Sequence, residues 1–534
     1  MTRIPQPDDL TLDQRVGQVL CFGWQGRDDA ESRAACAHAR EIVAGMGVGG
    51  LVLLGRNVGR PEETRSLVDA LQALSEIPLL VAVDQEGGMV CRIPAPLHSF
   101  PGNMALGACG ADAEDLAEQQ AGAVGRELRA LGVNWNFAPC VDVNSCPDNP
   151  IIGVRSYGED PELVARLGAA SVRGFQGAGV MACPKHFPGH GDTEVDSHLD
   201  LPVVRRGLGE LERVELRPFR AAIGAGAASL MTTHILFPAL DPERPATLSA
   251  AVLTSTLRQR LGFAGLVVTD CLEMRAIAGG VGTARGAVEA IKAGADMVLV
   301  CHTLETQRAT VRALKEAVQS GELPESRLNE AAGRVLAAKQ RFAVGSSAGR
   351  SQPWLAPEHD ALEKRIALQS ITLVRNAGAI PIPPGARAVV ASIHPSGQRL
   401  AAALGRHAVS VEWLPLSGVA KASDREAAVA AAREASNSGG VLVFATAPKE
   451  PWTDFPLDPA WQAACVGACH EAAGDSLIVA ALREPYDIRA FPQAANYVCS
   501  YGHRDCSLEA LAAVLAGMSP AAGRLPVSIP GVTG

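Results

Sequence analysis

The sequence predicts an α/β protein: a (β/α)8 TIM-like barrel followed by a smaller α/β sandwich domain. Three observations carry that prediction. Short apolar runs alternate with helical patterns through the first two-thirds of the 534 residues, and there are eight of them. A Gly- and Ser-rich stretch, GSSAGRSQP at 345–353, then interrupts the pattern. Beyond it, further strand-like runs are separated by Ala-rich helices. The expected division is a catalytic barrel over 1–343, a linker over 344–362 and the second domain over 363–534. A chain this long exceeds what one core usually serves.

The eight runs fall at 19–23, 50–54, 79–84, 134–141, 180–186, 229–234, 266–270 and 297–301. Each is rich in Val, Leu, Ala or Met without polar alternation. That is how parallel strands buried on both faces read. A doubly wound open sheet is the competing arrangement. Thr11 and Gln14 have capping-box spacing ahead of a first helix. Leu328, Ala331, Val335 and Leu336 recur at helical spacing over 327–344, which predicts a helix that closes the barrel. Beyond the Gly- and Ser-rich stretch at 345–353, a helix is expected over 358–367 and another over 425–435, with strands at 371–374, 388–393, 440–445 and 476–481.

Composition excludes several classes. A net charge of −9 gives no general attraction to nucleic acid or anionic lipid, so neither partner is expected. No run approaches the length of a membrane span. The opening MTRIPQPDDLTLDQRVGQVL places acids and prolines where a signal peptide needs a basic start and an apolar stretch. Thirteen scattered cysteines, an odd number without a CxxC pair, read as reduced thiols. The expected location is cytoplasmic, and no cofactor or metal is expected.

In a (β/α)8 barrel, reactive groups gather at the carboxyl ends of the strands. The polar residues there are Asp84, Asp142, Lys185 with His186, His234 and Asp270. The segment 185–198, KHFPGHGDTEVDSH, follows the fifth run and holds three histidines. Asp196 and His198 are two apart, which in extended backbone points both side chains the same way. A carboxylate bonded to one imidazole nitrogen supports the protonated ring and leaves the other nitrogen to exchange a proton. A structural loop, or a metal site from His186, His190 and His198, are the other readings of this segment. Asp270 ends the run GLVVTD, a placement that suits a nucleophile on a rigid strand, though a helix N-cap looks the same. Retaining glycoside cleavage needs one carboxylate to attack and a second group to protonate the leaving oxygen.

Four stretches together resemble glycoside hydrolase family 3, and within it the β-N-acetylglucosaminidase branch: VDQEGGMVCR (83–92), NFAPCVDVNSCPDNPIIGVRSYGED (136–160), KHFPGHGDTEVDSH and VTDCLEM (268–274). The resemblance spans 1–343. It implies that Asp270 is the nucleophile and that His198, paired with Asp196, is the acid/base. It also implies that Asp84, Arg92, Arg155, Lys185 and His186 bind the sugar. The implied partner is a small carbohydrate: an N-acetylglucosaminide, a muropeptide or a chitin oligosaccharide, in wall-fragment recycling or chitin use. Met89, Cys91 and Cys271 depart from the family's usual residues, which bears on substrate preference. Alternatives on the same scaffold are a phosphorylase acting on the same glycosides, a β-glucosidase, or a sugar-binding regulator without turnover.

Overall fold

A computed structural model describes residues 4–93, 95–193, 201–343, 352–407, 410–417, 421–446 and 457–532. All eight apolar runs form strands: β1 (Leu20–Phe22), β2 (Gly50–Leu53), β3 (Leu80–Val83), β4 (Trp135–Asn136), β5 (Met181–Ala182), β6 (Ser229–Met231), β7 (Leu266–Cys271) and β8 (Met297–Val300). They pair in the order β5-β4-β3-β2-β1-β8-β7-β6, every neighbour parallel. This sheet is a nearly closed barrel. Just past the strand ends, β5 and β6 are joined by a parallel bridge between Phe187 and Thr232, with Phe187 N–H donating to Met231 O at 2.7 Å. The open-sheet alternative is thereby set aside.

Alternation along each strand assigns the two faces. Cys21, Val52, Leu80, Ala82 and Trp135 point into the barrel and pack with Met181, Met231, Val268 and Leu299. Leu20, Phe22, Leu51, Leu53, Val81 and Val83 point outward against the helices. Both faces are covered, so no polar alternation is needed, and the strand sequences are apolar throughout.

The helical signals also appear as secondary structure. Thr11 accepts from Gln14 N–H at 3.2 Å, while Gln14 accepts from Thr11 N–H at 3.0 Å, and helix Leu12–Gln18 follows. Helix Glu325–Phe342 buries Leu328, Ala331, Val335 and Leu336.

The second sheet has six strands: β9 (Thr372–Arg375), β10 (Arg387–Ser392), β11 (Ser410–Pro415), β12 (Val441–Ala445), β13 (Leu477–Ala481) and β14 (Asn496–Cys499). Their order is β9-β14-β13-β12-β10-β11, parallel except for β9. Helices cover both faces, giving two separate cores. Strands β11 and β14 were not anticipated from sequence.

Helix Pro357–Ser370 begins inside the stretch assigned to the linker and packs on the barrel. Its His359 Nδ1 meets Glu127 at 2.8 Å, and its Asp360 meets His98 Nε2 at 3.0 Å. Further on, Tyr486 Oη accepts from Asn144 at 2.9 Å, Arg489 pairs with Asp148 at 2.8 Å, and Arg504 Nε donates to Gly88 O at 2.8 Å. Met104, Ala105, Ala108 and Val154 from the barrel share a core with Tyr486, Val527 and Ile529. Among the described residues, no helix is long and apolar enough to cross a membrane.

Candidate active site

A cavity of about 430 Å³ opens at the carboxyl end of the barrel. Its wall includes Asp84, Arg92, Arg155, Lys185, His186 and Asp270. Six of the eight residues to which the resemblance gives catalytic or sugar-binding roles therefore meet in one place. The other two, Asp196 and His198, lie outside the described residues.

At the centre stands Glu86, which sequence reasoning did not single out although it lies inside the DQEGG segment. Arg155 donates to it twice, Nε at 3.0 Å and Nη2 at 2.8 Å, and Lys185 Nζ lies 2.7 Å away. Lys185 also donates to Asp84 at 2.6 Å. Lys185, Glu86 and Arg155 are all buried, at 2%, 6% and 8% exposed. Burial opposes ionisation of Glu86, but Arg155 and Lys185 outweigh it and hold the carboxyl well below the usual carboxylate range. Burial likewise opposes the Lys185 and Arg155 charges, and Asp84 and Glu86 for the lysine, Glu86 for the arginine, raise both above their ordinary values. The result is a fixed, charge-paired array that presents donors and acceptors to the cavity.

Backbone geometry brings Glu86 there. Gln85–Gly87 and Val90–Cys91 pair as a two-stranded ribbon directly after β3. Gly88 turns the ribbon at φ 57°, and a Cβ there would sit 2.6 Å from Pro101 O, so only glycine fits. Arg92 is carried back over the cavity by the same ribbon. Its Nε has no hydrogen-bond partner among the described residues, which leaves a donor for a ligand.

Asp142 organises the other side from beneath. It is fully buried and accepts from His186 N–H at 3.0 Å, His190 N–H at 2.7 Å and His186 Nδ1 at 2.7 Å. Burial opposes its charge, yet His186 and His190 lower its pKa. His190 packs edge-on to His186 and binds Thr193 at 3.0 Å; burial and the neighbouring His186 push its pKa down to about 4, so it is neutral. Asp142 thus takes the His186 ring and the amides of both histidines, while the His190 ring bonds to Thr193. Gly191 closes the packing: a Cβ would fall 1.6 Å from Val143 O.

Asp270 lies on β7, half-buried, and its Oδ1 accepts from Cys271 N–H at 2.7 Å. Glu273 is held by the amides of His302 and Thr303 at 2.7 and 2.9 Å. Cys271 faces the cavity with Cys301 and His302. A hydrogen bond from Cys301 lowers the Cys271 thiol pKa, burial opposes this, and His302 lowers it further. Of the other departures from the usual pattern, Cys91 donates to Ser99 O at 3.3 Å. His234, also noted at a strand end, is fully buried between Thr247 and Cys271 O at 2.8 and 3.0 Å, a structural role.

A parallel barrel with carboxylates and cations lining its carboxyl end is the architecture of a barrel hydrolase. Residues 11–338 match the model of the glycosyl hydrolase family 3 N-terminal domain. The chain is 33% identical to β-hexosaminidase A of Pseudoalteromonas piscicida, with 97% of each chain covered. It is 30% identical to a β-N-acetylglucosaminidase/β-glucosidase of Cellulomonas fimi, covering 97% of this chain and 94% of that one. Among solved structures, a family 3 β-N-acetylglucosaminidase from Paenibacillus sp. str. FPU-7 superposes with a TM-score of 0.88 at 40% identity, covering 98% of this chain and 100% of that one. The chain belongs to glycosyl hydrolase family 3, and it is a glycoside hydrolase.

Proposed function

We propose that the chain is a retaining exo-β-N-acetylglucosaminidase that removes terminal β-linked N-acetylglucosamine. The observation that carries this reading is the convergence of Asp84, Arg92, Arg155, Lys185, His186 and Asp270 on one cavity, in a chain alike over its full length to β-N-acetylglucosaminidases.

Asp270 attacks the anomeric carbon while His198, oriented by Asp196, gives its proton to the departing glycosidic oxygen. The C–O bond to the leaving group breaks as the bond to Asp270 forms. Water then attacks the glycosyl–Asp270 ester, loses its proton to His198, and the sugar leaves with the carboxylate restored. Asp84 accepts from sugar hydroxyls, and Lys185, Arg155, Arg92 and His186 donate to hydroxyls and to the N-acetyl carbonyl. A sugar that leaves these buried groups unpaired is discriminated against. The leaving groups we favour are muropeptide or chitin-oligosaccharide fragments, met in the cytoplasm during wall recycling or chitin use.

The test is turnover of an aryl β-N-acetylglucosaminide beside an aryl β-glucoside, with and without phosphate, by wild type, Asp270→Ala and His198→Ala. Asp270→Ala is expected to abolish turnover. His198→Ala is expected to slow mainly substrates with poor leaving groups, because a phenolate needs little protonation. A sugar 1-phosphate product would replace hydrolysis by phosphorolysis. Full activity in Asp270→Ala would overturn the assignment.

A further inference from the structure

Four sulfur-bearing side chains line one side of the cavity: Met231, Cys271, Met274 and Cys301, with His302 beside them. Cys271 ends β7 and Cys301 follows β8, its neighbour in the barrel. The Sγ atoms of both cysteines and a ring nitrogen of His302 all lie within 4.8 Å of one another. Bonds of about 2.3 Å to sulfur and about 2.0 Å to nitrogen would hold such atoms about 3.5–3.8 Å apart around a tetrahedral ion. Small side-chain rotations therefore complete the set.

The charges also fit. Two thiolates neutralise a divalent ion, and Glu273, anchored on the amides of His302 and Thr303, balances Arg56, whose Nη2 reaches Cys301 O at 2.8 Å and His302 Nδ1 at 3.1 Å. Thiolate and imidazole ligands, with the thioethers of Met231 and Met274 nearby, select soft ions over Mg²⁺ or Ca²⁺. Among the described residues two further clusters of this kind occur, His98 with Glu127 and His359 and Cys140 with Asp142 and His186; each is centred on a buried carboxylate rather than on two thiols, and neither offers a second sulfur ligand.

We propose that Cys271, Cys301 and His302 form a site for a thiophilic d10 cation, Zn²⁺ being the ordinary one, with the fourth position open to the cavity. Binding replaces two S–H bonds by two metal–sulfur bonds and releases both protons to solvent, without change of oxidation state. An ion there stands next to Asp270 and excludes the sugar, so occupancy stops turnover. That last consequence rests on the reading of Asp270 as nucleophile; occupancy does not.

The experiment titrates the fully reduced chain with Cd²⁺ and follows the ultraviolet cadmium–thiolate absorption, with Zn²⁺ as competitor. One Cd²⁺ per chain is expected, displaced by Zn²⁺. Cys271→Ser and Cys301→Ser are each expected to weaken binding at least tenfold. In wild type, bound Cd²⁺ is expected to protect Cys271 and Cys301 from a maleimide, read by peptide mass mapping, which keeps the test independent of variant folding. Turnover should fall in proportion to occupancy and return with a chelator. Absence of the thiolate absorption, protection of other cysteines instead, or unchanged affinity in both variants overturns the site. Full occupancy with unimpaired turnover overturns the blocking role. Full occupancy in a chain inert toward glycosides even without metal leaves the site standing and removes the assignment of Asp270.

Discussion

Glu86 accepts two hydrogen bonds from one edge of the Arg155 guanidinium, Nε at 3.0 Å and Nη2 at 2.8 Å. Such a forked pair fixes orientation as well as charge. Glu86→Gln keeps the shape but leaves Arg155 and Lys185 with less negative charge to share. The expected outcome is a fall in kcat/KM of about 100-fold, or about 3 kcal/mol of lost transition-state stabilisation. Steady-state kinetics beside a circular dichroism spectrum would check it; wild-type kcat/KM in a folded variant would show that the pair is not used.

Asp142 supports the loop after β5 from a fully buried position, so Asp142→Ala strands the amides of His186 and His190 together with a ring nitrogen. Breaking a buried charged network of this kind costs about 3–5 kcal/mol. Urea denaturation would show a lower midpoint at an unchanged slope. Asp142→Asn, which retains one acceptor, is expected to lose less.

His98 joins the barrel to helix Pro357–Ser370. Burial disfavours its charge, but hydrogen bonds to Glu127 and Asp360 raise its pKa to about 9 from an ordinary 6.5. A raised pKa stabilises the fold fully below the unfolded value and loses that contribution as pH climbs through the folded one. Wild type is therefore expected to lose on the order of 1–3 kcal/mol between pH 6.5 and about 9. His98→Gln should be flatter over that window. Thermal unfolding of both at pH 6.5, 8 and 9.5 measures the difference.

Arg504 donates to Gly88 O from the second domain, at the turn of the ribbon that carries Glu86 and Arg92. Arg504→Ala is expected to raise KM severalfold with a smaller change in kcat, because it loosens a wall of the cavity without touching Asp270. An equal fall in both parameters would show that the contact acts on the chemistry.

The barrel was legible because parallel strands buried on both faces leave unbroken apolar runs, and all eight of these became strands. In the second domain the central strands β10, β12 and β13 read the same way. Strand β11 did not: it lies at the sheet edge, half of it exposed, and carries Glu412 and Pro415. Strand β14 is only four residues long and opens with Asn496. In the site, strand-end charges and segment resemblance found the residues facing the cavity but not those that act by pairing. Glu86 was recoverable, since two buried cations such as Lys185 and Arg155 require a shared anion. Arg56, in a short loop after β2, bears on the site only through contacts with residues 245 and 246 positions away, and no local pattern announces that.

His359, Asp360, Tyr486, Arg489 and Arg504 tie the second domain to the barrel, and Arg504 holds the turn of the ribbon that walls the cavity. Cutting the chain between helix Glu325–Phe342 and helix Pro357–Ser370 would expose the apolar faces of Met104, Ala105 and Val154 and remove the tether on Gly88. A barrel excised at that point is expected to aggregate or lose activity until those apolar positions are replaced by polar ones.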